Sequence, residues 1–139
     1  ISTLLSISSL LNSLLPEAQP YKNIYSSLNN FIKNLNQENW ILLYVYWELN
    51  LIKELGFDPD LEKHKKNVKD FSKNIILEID NIKYQVPPFL FSSKKLSIFD
   101  SKSIIDALIF TRNIMLNKFF VPNNLIFPKT RIHLEKYFN

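Results

Sequence analysis

Gly56 is the only glycine among 139 residues, and it follows a long apolar segment at the point where a helix must stop. A residue just past a helix end takes a positive φ, and glycine does so without a Cβ penalty. With Gly56 in that position, Phe57 comes next and can pack back on Ile52 in a Schellman ending. The same scarcity excludes a glycine-rich phosphate cradle.

Helical spacing organises most of the remaining chain. Thr3 to Leu15 places Leu4, Ile7, Leu11 and Leu14 on one stripe, and Pro16 ends it. Pro20 suits the first position of a second helix. Its apolar residues Tyr21, Ile24, Tyr25, Leu28, Phe31, Ile32 and Leu35 recur at helical intervals. A third helix from about Gln37 to Leu55 is apolar on most sides, which predicts a central helix wrapped by others. Its Trp40, Tyr44, Trp47 and Tyr46 suit base stacking in principle, but helical spacing favours a core role. Residues 58–74 are expected to be loop with a short basic helix. Ile75–Ile79 and Ile82–Val86 flank Asp80-Asn81, an acceptable two-residue hairpin turn. A fourth helix is expected from Asp100 or Ser101 to about Phe119. A fifth would have Pro128 as its first residue and run to Phe138. The predicted fold class is all-α: one domain over residues 1–139, a compact bundle of about five to six helices with a small β-hairpin insertion.

Charge is unevenly spread. Residues 1–62 hold 3 Lys/Arg and 7 Asp/Glu, whereas residues 63–139 hold 14 and 6, so the parts carry −4 and +8. A basic half on a small domain suits a polyanion or an acidic peptide. Lys63, Lys65, Lys66, Lys69 and Lys73 are the clearest surface for it, with Lys94 and Lys95 extending it. If that run is helical, residues 65, 69 and 73 line one face and 66 joins them. Lysine contacts phosphate as a point charge with little sequence preference; a merely solvated linker is the competing reading.

Catalysis finds little support. There is no cysteine, so disulfides, a thiol nucleophile and thiolate metal sites are all excluded. His64 and His133 lie far apart in no nucleophile or metal spacing. Asp58 and Asp60 flank Pro59 as turn and cap residues rather than metal ligands. No metal, cofactor or enzyme activity is therefore expected. No apolar run approaches the roughly 18 residues needed to span a bilayer, so no membrane role is expected. Arg112 is the sharpest single residue, because it falls inside an apolar stripe formed by Ile104, Ile105, Leu108, Ile109, Met115, Leu116 and Phe119. A charge there costs several kcal/mol, roughly, unless paired. It is either a structural arginine bound to carboxylate or carbonyl groups, or the edge of a pocket for an acidic partner. Arg131 would sit nearby.

Four segments in collinear order carry a family resemblance. Glu48-Leu49 through Leu55-Gly56-Phe57, followed by Asp58-Pro59-Asp60-Leu61, resembles the helical domain of RecO, the bacterial recombination-mediator family. Leu14-Leu15-Pro16-Glu17-Ala18-Gln19-Pro20 is similar to the family's Leu-Pro-Glu-x-Glu-Pro, with Gln19 departing from the second glutamate. Val86-Pro87-Pro88-Phe89-Leu90 resembles a segment of the α-proteobacterial branch. Thr111-Arg112 and Phe127-Pro128-Lys129-Thr130-Arg131 resemble the late helix with its arginine and the closing Lys-Ser-Arg. The family's N-terminal OB-fold would precede Ile1, and no methionine opens the chain, so a fragment or processed product is expected.

The resemblance implies a non-enzymatic DNA repair and recombination module. It would dock RecR and the acidic, hydrophobic C-terminal tail of the single-strand-binding protein, and assist single-stranded DNA binding and annealing. Arg112, Lys129 and Arg131 would be the partner-binding residues, in the bacterial cytoplasm at the nucleoid. Some family members resemble zinc ribbons, but this chain has no ligands for one. An alternative from another class is a repurposed RNA- and protein-binding subunit of an organellar ribonucleoprotein, such as a mitochondrial ribosome.

Overall fold

The computed structural model describes residues 2–15, 22–35, 40–91 and 101–138. Among them lie six helices and one two-stranded antiparallel sheet, so the all-α bundle with a hairpin insertion is the architecture found. The helices are α1 (Ser2–Leu14), α2 (Lys22–Lys33), α3 (Trp40–Glu54), α4 (Leu61–His64), α5 (Ser101–Met115) and α6 (Lys129–Tyr137). The strands are β1 (Ile75–Ile79) and β2 (Ile82–Val86). The proline signals at Pro16 and Pro20, the start at Gln37, the cap at Asp100, and Lys94 and Lys95 fall outside the described residues.

α3 is the axis. Ile41, Leu42, Tyr44, Val45, Trp47, Leu51 and Ile52 are all buried, because apolar residues occupy nearly every direction around it. α2 packs on one side of α3 and α5 on another, while α1 pairs with α6. The aromatic residues of α3 are mostly core: Tyr44 meets both Phe31 and Trp47, each at 5.9 Å between ring centroids, and only Tyr46 is exposed. α2 is helical with Ile24 and Phe31 buried, but Tyr25 and Ile32 of its predicted stripe face solvent.

α3 ends as its glycine demands. Gly56 has φ +104°; its N–H donates to Lys53 O at 3.0 Å and the Phe57 N–H donates to Ile52 O at 3.2 Å. These two bonds are the Schellman pair. The hairpin pairs Ile75 with Val86 through Ile79 with Ile82. Asp80 (φ 51°) and Asn81 (φ 67°) both take left-handed conformations, the type I′ geometry that matches strand twist. Leu77, Tyr84 and Val86 point inward, and β2 packs on α5.

Two boundaries differ from the sequence expectation. The regular helical bonding of α5 stops at Met115, and Leu116–Phe120 continues in a wider turn in which the Val121 N–H donates to Leu116 O at 2.9 Å. The hydrophobic spacing is nearly continuous across that change, so it leaves no trace in the periodicity. Pro128 is not the first residue of the last helix but its cap, with φ −63° and ψ 133°. Its carbonyl receives the N–H groups of Arg131 and Ile132.

Candidate functional site

The centre of the bundle is polar. Glu48, on the innermost turn of α3, and Arg131, on the first turn of α6, are both completely buried. Arg131 Nε donates to Glu48 Oε2 at 2.5 Å and Nη2 donates to Glu48 Oε1 at 3.0 Å, a two-pronged pair. Each carboxylate oxygen takes a second donor: the Tyr44 hydroxyl reaches Oε2 at 2.7 Å and the Thr111 hydroxyl reaches Oε1 at 2.7 Å. Since the Tyr44 proton goes to Glu48, Ser6 donates to Tyr44, at 2.8 Å. Arg131 Nη2 also meets Leu108 O at 2.9 Å, and Nη1 meets Glu135 Oε2 at 3.2 Å. A buried charge this well surrounded avoids the penalty of an unmet one.

The cluster ties four helices together: Ser6 from α1, Tyr44 and Glu48 from α3, Thr111 from α5, and Arg131 from α6. Burial and the Glu48 charge push the Tyr44 pKa well above the ordinary tyrosine value. Burial by itself would lower the Arg131 pKa; Glu48, Tyr44 and Glu135 more than offset it, and the guanidinium is held charged. Nearby, the Trp47 indole N–H is buried with no hydrogen-bond acceptor among the described residues.

Arg112 is the outer edge of this cluster. Its Nη1 donates to Glu135 Oε1 at 2.8 Å and to Oε2 at 3.1 Å, so Glu135 joins the two arginines. A charge in an apolar stripe needs a carboxylate, and here it has one. Yet Arg112 keeps 31 % of its side chain exposed, against 0 % for Arg131 and 9 % for Glu135. The resemblance grouped Arg112, Lys129 and Arg131 as one partner-binding set. The structure brings Arg112 and Arg131 to the same carboxylate, but Arg131 has no surface to present. Lys129 is exposed at the start of α6. Lys136, exposed seven residues further on, shares that helical face with Lys129 and the half-buried Ile132.

The lysine run is loop with a short helix, as expected, and the helical face that a longer helix would have made is not formed. α4 is a single turn, a tighter turn covers Lys65–Asn67, and Val68 is extended (φ −81°, ψ 111°). Asp70 then closes a local turn, its carboxylate accepting from the Ser72 N–H at 2.8 Å and the Ser72 hydroxyl at 2.6 Å. The Ser72 hydroxyl, with its N–H, holds the Asp70 carboxyl below its ordinary pKa. Residues 65, 69 and 73 are therefore not stacked on one helical stripe, because turn-forming Asp70 and Ser72 interrupt the helix. Lys63, Lys66, Lys69 and Lys73 are exposed and Lys65 is half-buried. None of the five forms an ion pair among the described residues.

Beside the end of α3 lies a groove of about 310 Å³, lined by Leu49, Lys53, Pro59 and Leu61 and rimmed by Asp58, Asp60 and Glu62. Asp58 Oδ1 accepts the Asp60 N–H at 2.8 Å, the turn role expected of that pair. Among the described residues there is no group of three or more His, Cys, Asp or Glu side chains placed to hold a metal ion. No helix among them is long and apolar enough to cross a membrane.

The family described as Recombination protein O C terminal matches residues 1–79, which run from α1 to the end of β1. The chain is 40 % identical over 63 residues to the DNA repair protein RecO of Wolbachia pipientis wMel, covering 44 % of this chain and 26 % of that protein. It is 38 % identical over 63 residues to the DNA repair protein RecO of the Wolbachia strain wRi of Drosophila simulans, with the same coverage. The matched part thus spans about a quarter of these curated relatives. No solved structure matches.

Proposed function

The chain belongs to the RecO C-terminal family, and from that premise we propose that it is a non-enzymatic module of DNA repair that docks an acidic protein tail. The surface for it is the face shared by α5 and α6. Arg112 stands there partly exposed, one helical turn from the half-buried Ile109 on α5 and Leu116 just past its end. On α6, Ile132, Lys129 and Lys136 share one face, next to the Glu135 that Arg112 contacts. Apolar contact edged by cations suits the acidic, hydrophobic tail of the single-strand-binding protein, with RecR as a second partner of the whole assembly. The observation that carries this reading is the exposure of Arg112 at the rim of a cluster whose other cation is sealed inside.

The lysine run at 63–73 then acts as an auxiliary contact to single-stranded DNA, positioned by charge rather than by base recognition. The relatives are bacterial repair proteins, which supports this reading over a ribonucleoprotein subunit and supports a cytoplasmic setting. The test is calorimetric titration with a peptide of the single-strand-binding protein tail and with the same peptide after Asp-to-Asn neutralisation. The acidic peptide should bind at one site per chain and the neutral one at least about tenfold more weakly, the loss of a charge-assisted contact. Equal affinity for both would remove the docking role.

A further inference from the structure

Glu135 is a carboxylate already sitting on the cation that the proposed docking face offers. It contacts Arg112 through Nη1 alone, and the Nε and Nη2 groups of Arg112 have no partner among the described residues. Arg112 therefore has donors for a second carboxylate, but its charge is partly neutralised by the first. Arg131 is held more closely by Glu48, at 2.5 Å and 3.0 Å, than by Glu135, at 3.2 Å. Of the two carboxylates in the cluster, one is locked to the interior and the other is shared at the rim.

We propose that Glu135 is an internal competitor for the acidic partner: it occupies Arg112 in the free protein and sets the affinity and selectivity of the docking face. This rests on the docking reading above and adds the residue that regulates it. An incoming carboxylate must either displace Glu135 or share Arg112 with it. A single carboxylate shares poorly, because it meets the Glu135 charge at close range. A peptide carrying several carboxylates gains enough to win, since it also meets Lys129 and Lys136. Glu135 thus discriminates against isolated anions and weakly acidic segments while leaving strongly acidic tails able to bind. The device needs no moving domain; it needs only the Arg112 side chain, 31 % exposed, to turn away from Glu135.

The experiment is titration of the tail peptide against wild type, Glu135→Gln, Arg112→Ala and the double variant, with a thermal melt on each. Glu135→Gln should tighten binding about threefold or more, since freeing a competing partner raises the competent fraction. The gain should vanish when Arg112→Ala is added. If Glu135→Gln does not fold, Glu135→Asp keeps the charge beside Arg131 but is one methylene shorter, and it should tighten binding by less. Wild-type binding with no tightening in the folded position-135 variant overturns the competitor role and leaves the docking reading standing. Tightening that persists without Arg112 also overturns it, because the effect is then one of general field. No binding above the neutral peptide in any variant overturns both readings.

Discussion

Arg131 and Lys66 are both cations on short helical segments of one chain, yet one has no surface and the other is exposed. Arg131 is met by Glu48, Glu135, Thr111 and the Leu108 carbonyl. Lys66 and its four lysine neighbours have no ion pair among the described residues. The interior uses charge for register: Glu48 and Arg131 fix how α3 and α6 face each other, through hydrogen bonds that tolerate little displacement. The lysine run lies on turns where none of the five ammonium groups is held by an ion pair among the described residues. What separates them is desolvation. A charge stripped of water is stable only in one arrangement of partners, whereas a hydrated charge accepts many.

The largest effect should come from splitting the interior pair. Arg131→Met leaves Glu48 buried with half its donors gone, and Glu48→Leu leaves Arg131 in the mirror situation. Each should cost about 3–5 kcal/mol in urea unfolding, the range for removing one partner of a buried pair. The double variant should lose less than the sum, because neither leaves the other's charge unmet. Single losses under about 1 kcal/mol, the range of a surface pair, would show that the cluster does not hold the helices.

Next in size is Tyr44. Its folded pKa is raised by burial and by Glu48. Below the unfolded pKa both states are protonated and the stabilisation is complete. As pH rises past about 10 the unfolded chain ionises while the folded one does not, and stability falls by up to about 1.4 kcal/mol per unit from this residue. Tyr44→Phe should flatten that alkaline decline, though Tyr46, raised by burial, leaves part of it. The same substitution removes a donor to Glu48 and should cost about 1–3 kcal/mol at neutral pH. An unchanged alkaline slope would place the decline elsewhere.

What is legible in the sequence divides along the same line. The hairpin, its Asp80-Asn81 turn and the central α3 follow from period and turn chemistry, and the structure has them. Gly56 is the sharpest case, because a lone glycine after an apolar helix has few other uses. Arg112 is visible as a charge in an apolar stripe. Glu48 carries the same signal, a carboxylate on a helix apolar all round and four residues after Tyr44, but the family motif around it hides its structural role. Arg131 is expected near Arg112, and it is, but its complete burial is not visible because α6 is too short to show a clear stripe. Partnership between residues 48 and 131 is a tertiary fact that no local period encodes. The basic run is legible as loop with a short helix, and the structure has that; whether its lysines stack on one helical face is decided by Asp70 and Ser72, which form a turn instead.

A smaller effect tests the joint between the two regions, since the Schellman ending of α3 leads directly into the groove and the lysine run. Nothing lies within 4 Å of where a Cβ on Gly56 would stand, so space is not the obstacle. The cost is backbone strain at φ +104°. Gly56→Val should therefore destabilise by about 1 kcal/mol or slightly more, the penalty of a branched residue at positive φ. A melting temperature equal to wild type would mean the α3 end relaxes to another cap.

The smallest effect on stability should come from the lysines, and it sharpens the comparison most. Replacing Lys63, Lys65, Lys66, Lys69 and Lys73 together with Gln should change unfolding free energy by no more than about 0.5 kcal/mol, as for surface sites with no partner. None of these charges is in an ion pair among the described residues, so their removal should cost the fold little and relieve repulsion among them. Binding to single-stranded DNA should respond strongly, because each neutralised phosphate releases counterions and the log of the affinity falls with the log of salt in proportion to their number. Fluorescence anisotropy of a labelled oligonucleotide across a salt series should give a flatter slope for the variant, by about 0.7 for each phosphate that the lysines no longer neutralise on a single strand. Full thermal stability with a flattened slope separates the two uses of charge. A variant as salt-sensitive as wild type would move nucleic-acid binding to other cations of the basic half, while one that unfolds would show that the run is structural.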